Sequence, residues 1–249
     1  MGLTIHYQLK HAGSETSARR LIEQLHSAAQ DLPFKEVQDI VDLKGDDCRF
    51  DKRDREDPLR WLLVQSGGAL KLDEHTYLDI PPTRIIAFET WPGEGCESAN
   101  FGLCQYPAAI EHHGRRIKTG LADWCWRSFC KTQYASDPQC GGIENFLRCH
   151  LMVVALLDQA KELGCLEEVH DEGKFWDNRD VKALVPEIKS WNGMIAAFAG
   201  KLKDTLGDGV EAPITDYSNF EQLELAGQSK LPPETEQLAK LIQQVIQKP

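Results

Sequence analysis

The chain has 249 residues, of which 41% are hydrophobic and 27% are charged, and this is the ordinary composition of a globular protein that buries a core. Its formal net charge of −11 argues against a general affinity for nucleic acid, whose phosphates an acidic surface repels. The longest apolar run, residues 151–157, is far shorter than the roughly 18 residues of a membrane span, so we expect no membrane partner.

The N-terminal segment "MGLTIHYQLKH" lacks the charged start, apolar stretch and cleavage site of a signal peptide. We therefore expect a cytoplasmic protein whose eight cysteines stay reduced. The sequence contains no Cys-x-x-Cys pair, and the cysteine spacings match no standard zinc pattern.

The first 43 residues predict a β-α-β unit. Apolar residues alternate over residues 3–10, as in a strand with one wet side, and recur at helical spacing over residues 21–32. Residues 36–43 predict a second strand. A charged, solvated loop over residues 44–58 follows.

The central region predicts an antiparallel meander, because short apolar stretches alternate with turn residues. A short hairpin connection, "HHGR", joins the last two candidate strands. The candidates are residues 60–72, 83–91, 99–114 and 115–135.

The C-terminal half predicts helices. The strongest spans residues 140–164 and ends at Gly164. A strand and loop follow, after which Asp180 caps a short turn and Pro186 begins a longer helix. An amphipathic helix over residues 233–247 ends the chain, and its apolar stripe would dock on the body or form a homodimer.

Together these elements predict an α+β fold with a largely antiparallel sheet and helices packed on one face. We assign residues 1–206 to one domain and residues 207–249 to a C-terminal extension that ends in the amphipathic helix.

An internal similarity raises a second possibility for this domain. Residues 21–37 and 153–169 align without a gap, and in each a helix leads into a strand. The similarity fits two pseudo-duplicated β-α-β halves, residues 1–80 and 81–206, or a chance likeness between two amphipathic helices.

The segment "WPGEGCESANFGLC" predicts a candidate catalytic site. The turn at residues 92–93 and the glycine before Cys96 would present this thiol at a strand end. A nucleophilic cysteine needs a lowered pKa, usually from a histidine within hydrogen-bond reach. We expect His113 to be that base and Asp171 to orient it, with Cys96 as the nucleophile of a hydrolase or transferase.

Other residues compete for these roles. His112 and His170 are alternative bases, and Glu97 is an alternative orienting acid. Asn100 or backbone N–H groups would stabilise an oxyanion.

Strand periodicity indicates a different use of the same region. Trp124 and Trp126 share one strand face, where two indoles would floor a ligand pocket or fill the core beneath a helix. Glu89 falls among apolar neighbours, and a buried carboxylate must be paired, protonated or functional. The predicted ligand-binding residues are Glu89, Trp91, Glu97, Asn100, Trp124 and Trp126.

Three functions therefore remain open. The first is a binding module for a small molecule or a protein, with an aromatic pocket. The second is the cysteine-dependent enzyme, and the third is a metal-binding protein for which we assign no ligand set and identify no cofactor. The donors that motivate the third are Cys96, Cys104, His112, His113, His170, Asp171 and Glu172.

Overall fold

The computed structural model describes residues 3–51, 56–74, 76–121, 123–206 and 212–231. The predicted amphipathic helix over residues 233–247, and the homodimer that would use it, lie outside these residues.

The strands are β1 (Thr4–His11), β2 (Glu36–Val37), β3 (Val41–Lys44), β4 (Gly68–Lys71), β5 (Tyr77–Ile80), β6 (Arg84–Trp91), β7 (Ala99–Gln105), β8 (Ala109–His112), β9 (Arg115–Lys118), β10 (Trp124–Lys131) and β11 (Leu166–Asp171). The α-helices are α1 (Glu15–Gln30), α2 (Arg60–Ser66), α3 (Gly142–Glu162), α4 (Phe175–Asn178), α5 (Val181–Leu206) and α6 (Phe220–Gln228).

The main sheet is antiparallel, with the strand order β11-β1-β10-β7-β6 and with β2 and β3 both paired to β6. Strands β4 with β5, and β8 with β9, form two separate ribbons. The predicted α+β fold with a largely antiparallel sheet is therefore confirmed.

The main core lies between one face of this sheet and the two long helices α1 and α3. Ile5, Tyr7 and Leu9 alternate along β1 and are buried in one cluster with Ile22 of α1 and Leu157 of α3. Residues between them point to the opposite face. The short helix α2 joins the same cluster through Leu62 and Leu63, and the backbone carbonyl of Ser66 at its end accepts a hydrogen bond from the Tyr106 hydroxyl at 2.7 Å.

Residues 60–66 form helix α2 instead of the predicted strand, and β4 begins only at Gly68. The short apolar run has no clear period, so its length and composition left helix and strand unresolved. Leu62, Leu63 and Ser66 lie on one helical face and are buried together.

Other differences concern where strands break. The predicted strand over residues 36–43 is split into β2 and β3, which lie beside β6 and not beside β1. The stretch 115–135 is divided into β9 and β10. The predicted hairpin is present, and its turn places His113 and Gly114 at positive φ angles of 51° and 72°.

Helix α5 begins earlier than predicted. It starts at Val181, where the Asp180 carboxylate accepts a hydrogen bond from the backbone N–H of Lys182 at 2.8 Å. Pro186 lies inside the helix, and its ring removes the N–H that would otherwise bond to the carbonyl one turn earlier.

The strand order does not show the proposed duplication. Strand β11, which follows α3, pairs with β1, whereas β2 and β3, which follow α1, pair with β6.

Helix α6 crosses α5 with backbones in contact. A Cβ atom added at Gly227 would overlap the backbone carbonyl of Gly193. Ala196 and Ala199 of α5 pack with Ile214 just before α6 in a small cluster of their own. Part of the predicted C-terminal extension therefore packs on α5.

Strands β7 and β10 share the register pair Cys104–Cys125, which is a short ladder for two neighbouring strands. Beyond this pair, side-chain hydrogen bonds to the β7 backbone replace the backbone hydrogen bonds of a ladder. The backbone carbonyl of Asn100 accepts hydrogen bonds from the Tyr7 hydroxyl and from the Trp126 indole N–H, each at 2.8 Å. We call this junction the β7–β10 seam.

Replacing Tyr7 with phenylalanine should lower the free energy of unfolding by about 1 kcal/mol, the usual net contribution of one hydrogen bond. Urea titration followed by circular dichroism measures it. Tyr77→Phe is the matched control, because Tyr77 is exposed on β5 and its hydroxyl should contribute little. Equal effects of the two substitutions would show that the seam bond does not stabilise the fold.

Candidate functional site

The loop between β6 and β7 is held by its own backbone and by Trp91. The Trp91 indole N–H donates to the Cys96 carbonyl at 3.3 Å, and the Cys96 N–H donates to the Gly93 carbonyl at 3.1 Å. The ammonium of Lys35 lies 4.7 Å from the centre of the Trp91 ring. The predicted residues Trp91 and Cys96 are thus brought together.

This loop lies against helix α3. Cys96 packs against the small cluster that contains Cys149, and each of the two thiols shifts the pKa of the other. The Cys149 sulfur also lies 3.5 Å from the Pro92 carbonyl oxygen and 3.5 Å from Nη2 of Arg148. Cys130 of β10 is a third thiol nearby, and its S–H donates to the Glu97 carbonyl at 3.2 Å.

The two paired thiols differ in acidity. The interaction with Cys149, together with burial, raises the pKa of the Cys96 thiol. The same interaction, with help from the Arg148 guanidinium, lowers the pKa of the Cys149 thiol below its ordinary value although burial opposes this. A thiolate here is therefore favoured on Cys149 rather than on Cys96.

The predicted triad residues Cys96, His113 and Asp171 have separate surroundings. His113 is exposed in the turn between β8 and β9, with its ring against His112. Asp171 ends β11 and pairs with a different imidazole, that of His150, at 3.2 Å. Within the described residues, the groups that act on the Cys96 thiol are cysteines and Arg148, with no histidine among them.

His150 instead forms a buried network with a hydroxyl and a carboxylate. Its Nδ1 lies 2.9 Å from Oγ1 of Thr132, and its Nε2 faces Asp171. The Asp171 carboxylate also accepts the backbone N–H groups of Gly173 and Trp176 at 2.8 and 2.9 Å. The side chains of His150 and Asp171 are both 0% exposed, so the network joins α3 to β11 in the interior of the fold.

The predicted ligand-binding carboxylates have protein partners. Glu89 accepts a hydrogen bond from the Ser98 hydroxyl at 2.8 Å. Glu97 is exposed, and its carboxylate accepts the backbone N–H of Lys131 at 3.3 Å. The Asn100 amide is fully buried and has no hydrogen-bond partner among the described residues.

The indoles of Trp124 and Trp126 are in the core. They are 2% and 1% exposed and belong to the cluster beneath α1 and α3. Of the two arrangements that the strand pattern allowed, the structure has the one in which the pair fills the core, and neither ring offers a surface to a ligand.

A surface groove of about 520 Å³ lies elsewhere, on the sheet face opposite α1 and α3, with α2 as one wall. This volume falls in the range of small-molecule sites. Its lining residues are His6, Tyr7, Gln8, Val64, Gln65, Arg127, Ser128, Phe129, Glu168 and His170.

Three rings form a row across the groove floor. His6 is directly opposite Phe129 on β10 and His170 on β11, with ring centroids 5.9 and 6.2 Å from that of His6. All three are exposed, Phe129 by 41%. We call these residues the ring row.

A polar row lies beside the ring row. Gln8 is opposite Arg127 and Glu168, and Nε of Arg127 donates to the Gln8 amide oxygen at 2.9 Å. At the α2 wall, the Ser128 hydroxyl donates to the Gln65 amide oxygen at 2.7 Å. The groove thus combines an exposed aromatic strip with hydrogen-bonding groups along its edge.

Sequence reasoning found His170 as a possible base and a possible metal donor, and it missed the ring row. The available signal was the alternation of β1 and β10, which places His6 and Phe129 on the face away from the core. Their closeness needs the cross-strand register, which the sequence alone does not supply.

Comparisons with known proteins give no further assignment. No family model, curated protein or solved structure matches this chain. In the described ranges, no group of three or more His, Cys, Asp or Glu side chains is placed to hold a metal ion. No helix in those ranges has the length and apolarity to cross a membrane.

Asp171→Asn should lower the free energy of unfolding near pH 7 by about 3–5 kcal/mol, because it removes one partner of a buried pair. Asp39→Asn is the control, since Asp39 is exposed between β2 and β3 and should change stability by less than about 0.5 kcal/mol. Chemical denaturation of both variants measures the difference, and a similar small loss in both would contradict the assignment.

The contribution of Asp171 should also depend on pH. Burial alone would raise its pKa, but hydrogen bonds from His150 and from two backbone N–H groups hold the pKa below the ordinary value. Its stabilisation is therefore complete above the unfolded pKa of about 3.9 and is lost as the pH falls through the lower folded pKa. The stability difference between wild type and Asp171→Asn should shrink from pH 5 to pH 3, and a constant difference would refute this.

Proposed function

We propose that this protein is a non-catalytic binding module, and that its ligand is a small molecule with a planar ring. The single observation that carries the proposal is the ring row of His6, Phe129 and His170, exposed on the floor of the groove. The proposed aromatic site therefore lies on the other face of the sheet from Trp124 and Trp126, the residues at which the strand pattern predicted it.

The ring row supports a stacking ligand. Exposed aromatic rings in register across three strands, tilted by 39° and 31° to their neighbours, make a continuous aromatic surface. Aromatic pairs contribute about 0.5–1.5 kcal/mol beyond the area that they bury. The 41% exposure of Phe129 leaves a ring surface free to make such a contact.

The polar row supports a ligand with hydrogen-bonding groups along one edge. Arg127 is exposed and keeps N–H donors beyond the one used by Gln8. Glu168 supplies an acceptor on the far side of Gln8. A planar acid with a ring of one or two cycles fits this combination, with its anionic group beside Arg127 and its ring on Phe129 and His6.

The cysteine-dependent enzyme has less support. It requires a base close to Cys96, and the described surroundings of that thiol are other thiols and a guanidinium. The metal-binding function also has less support, because no group of three or more His, Cys, Asp or Glu side chains in the described residues is placed to hold a metal ion. A cytoplasmic location remains part of the proposal, because all eight cysteines are free and a reducing compartment keeps them so.

Fluorine NMR with fluorobenzoates and fluoroindoles tests the binding function. We expect these planar probes to bind, and the saturated fluorocyclohexane carboxylates of similar size to bind more weakly. Phe129→Ala should weaken planar-probe binding about 2- to 12-fold, the equivalent of one lost stacking contact.

Two matched controls separate the groove from general surface effects. Tyr77→Ala removes an exposed ring from β5 and should leave binding unchanged. Arg127→Gln should weaken the benzoates more than the neutral indoles, whereas Arg115→Gln on β9 should affect neither. Equal binding of planar and saturated probes, or no loss in Phe129→Ala, would end the proposal.

A further inference from the structure

The thiol pair under the β6–β7 loop is distinct from the groove. It joins a half-buried residue in a loop, Cys96, to a buried residue in a helix, Cys149. Cys96 packs against the cluster that contains Cys149, and the Cys149 sulfur lies 3.5 Å from the carbonyl oxygen of Pro92 in the same loop. We infer that Cys96 and Cys149 are a peroxide-sensitive dithiol that closes reversibly into a disulfide.

The surroundings of Cys149 fit the role of the reacting thiol. Nη2 of Arg148 lies 3.5 Å from its sulfur, and a nearby guanidinium stabilises a thiolate. Nη2 of Arg148 also donates to the Asn145 amide oxygen at 2.8 Å, which fixes the guanidinium beside the sulfur. Arg148 is exposed, so the positive charge lies between the sulfur and solvent.

The surroundings of Cys96 fit the role of the resolving thiol. It packs against the cluster that contains Cys149, and its loop is held at both ends by the Trp91 indole and by the backbone hydrogen bond from Glu97 to Lys131. The loop contacts α3 through Pro92. Closing the bond therefore requires a local movement of this loop, and no rearrangement of the sheet.

The oxidation balances with hydrogen peroxide as the oxidant. The Cys149 thiolate attacks one peroxide oxygen, the O–O bond breaks, and the hydroxide that leaves takes up the proton that Cys149 released, giving water and a sulfenic acid. The Cys96 thiol then attacks the sulfenic sulfur, an S–S bond forms, and the leaving hydroxide takes the Cys96 proton as a second water. The two thiols lose two electrons and one peroxide is reduced.

The burial of Cys149 selects the oxidant by size. Cys149 is 0% exposed and lies under the loop backbone, so a molecule the size of peroxide reaches it by a small opening of the loop. A tripeptide disulfide such as oxidised glutathione needs a larger opening. We therefore expect peroxide to oxidise the pair at least ten times faster than oxidised glutathione at equal concentration.

The test uses the full reduced chain and equimolar hydrogen peroxide, followed by denaturation, alkylation and mass spectrometry. We expect an intact protein 2 Da lighter, two fewer alkylated thiols and a peptide that links Cys96 to Cys149, all reversed by dithiothreitol. A link through Cys130, or equal oxidation of all eight thiols, would overturn the inference.

Single substitutions assign the two roles. Cys96→Ser should leave a sulfenic acid on Cys149 that dimedone traps, and Cys149→Ser should slow peroxide consumption at least ten-fold. Cys140→Ser is the control, because Cys140 is half-buried outside the pair and should leave the rate unchanged. Circular dichroism verifies the fold of each variant, and trapping at Cys96 instead of Cys149 would refute the order of attack.

Discussion

The sheet depends on the β7–β10 seam, where the two neighbouring strands are paired at Cys104–Cys125 in place of a longer ladder. Two side-chain donors, from Tyr7 and Trp126, meet at one carbonyl, that of Asn100. An unpaired buried carbonyl is costly, so these donors satisfy the backbone and join the two halves of the sheet. This explains why the Trp126 indole lies in the interior, although the strand pattern also allowed it to line a ligand pocket.

The groove follows from the same arrangement. Where β10 leaves β7, helix α2 comes alongside β10, and the Ser128 hydroxyl binds Gln65 on that helix. The outer face of β11, β1 and β10 is left open next to this wall, and the ring row lies there. The core face and the binding face are thus two sides of the same strands, with alternate residues serving each.

The sequence predicts the fold class better than the site, for physical reasons. Strand alternation predicted β1 and β6, and helical spacing predicted α1 and α3, because burial acts on local pattern. Partners distant in sequence are set by register and packing, so neither the ring row nor the Cys96–Cys149 pair was predicted. The turn around Cys96 was recognised correctly as unusual, but the residue that it meets is 53 positions away on a helix.

The contact between Gly193 and Gly227 limits which substitutions helix α6 tolerates. Since the two backbones touch, the position of α6 on α5 is set by shape complementarity rather than by non-specific hydrophobic contact. A side chain at Gly227 would overlap the Gly193 carbonyl and push the helices apart, which would uncover Ala196 and Ala199. The constraint therefore falls on the face of α6 that carries Gly227, whereas Leu225 on the same helix is 72% exposed and outside this contact.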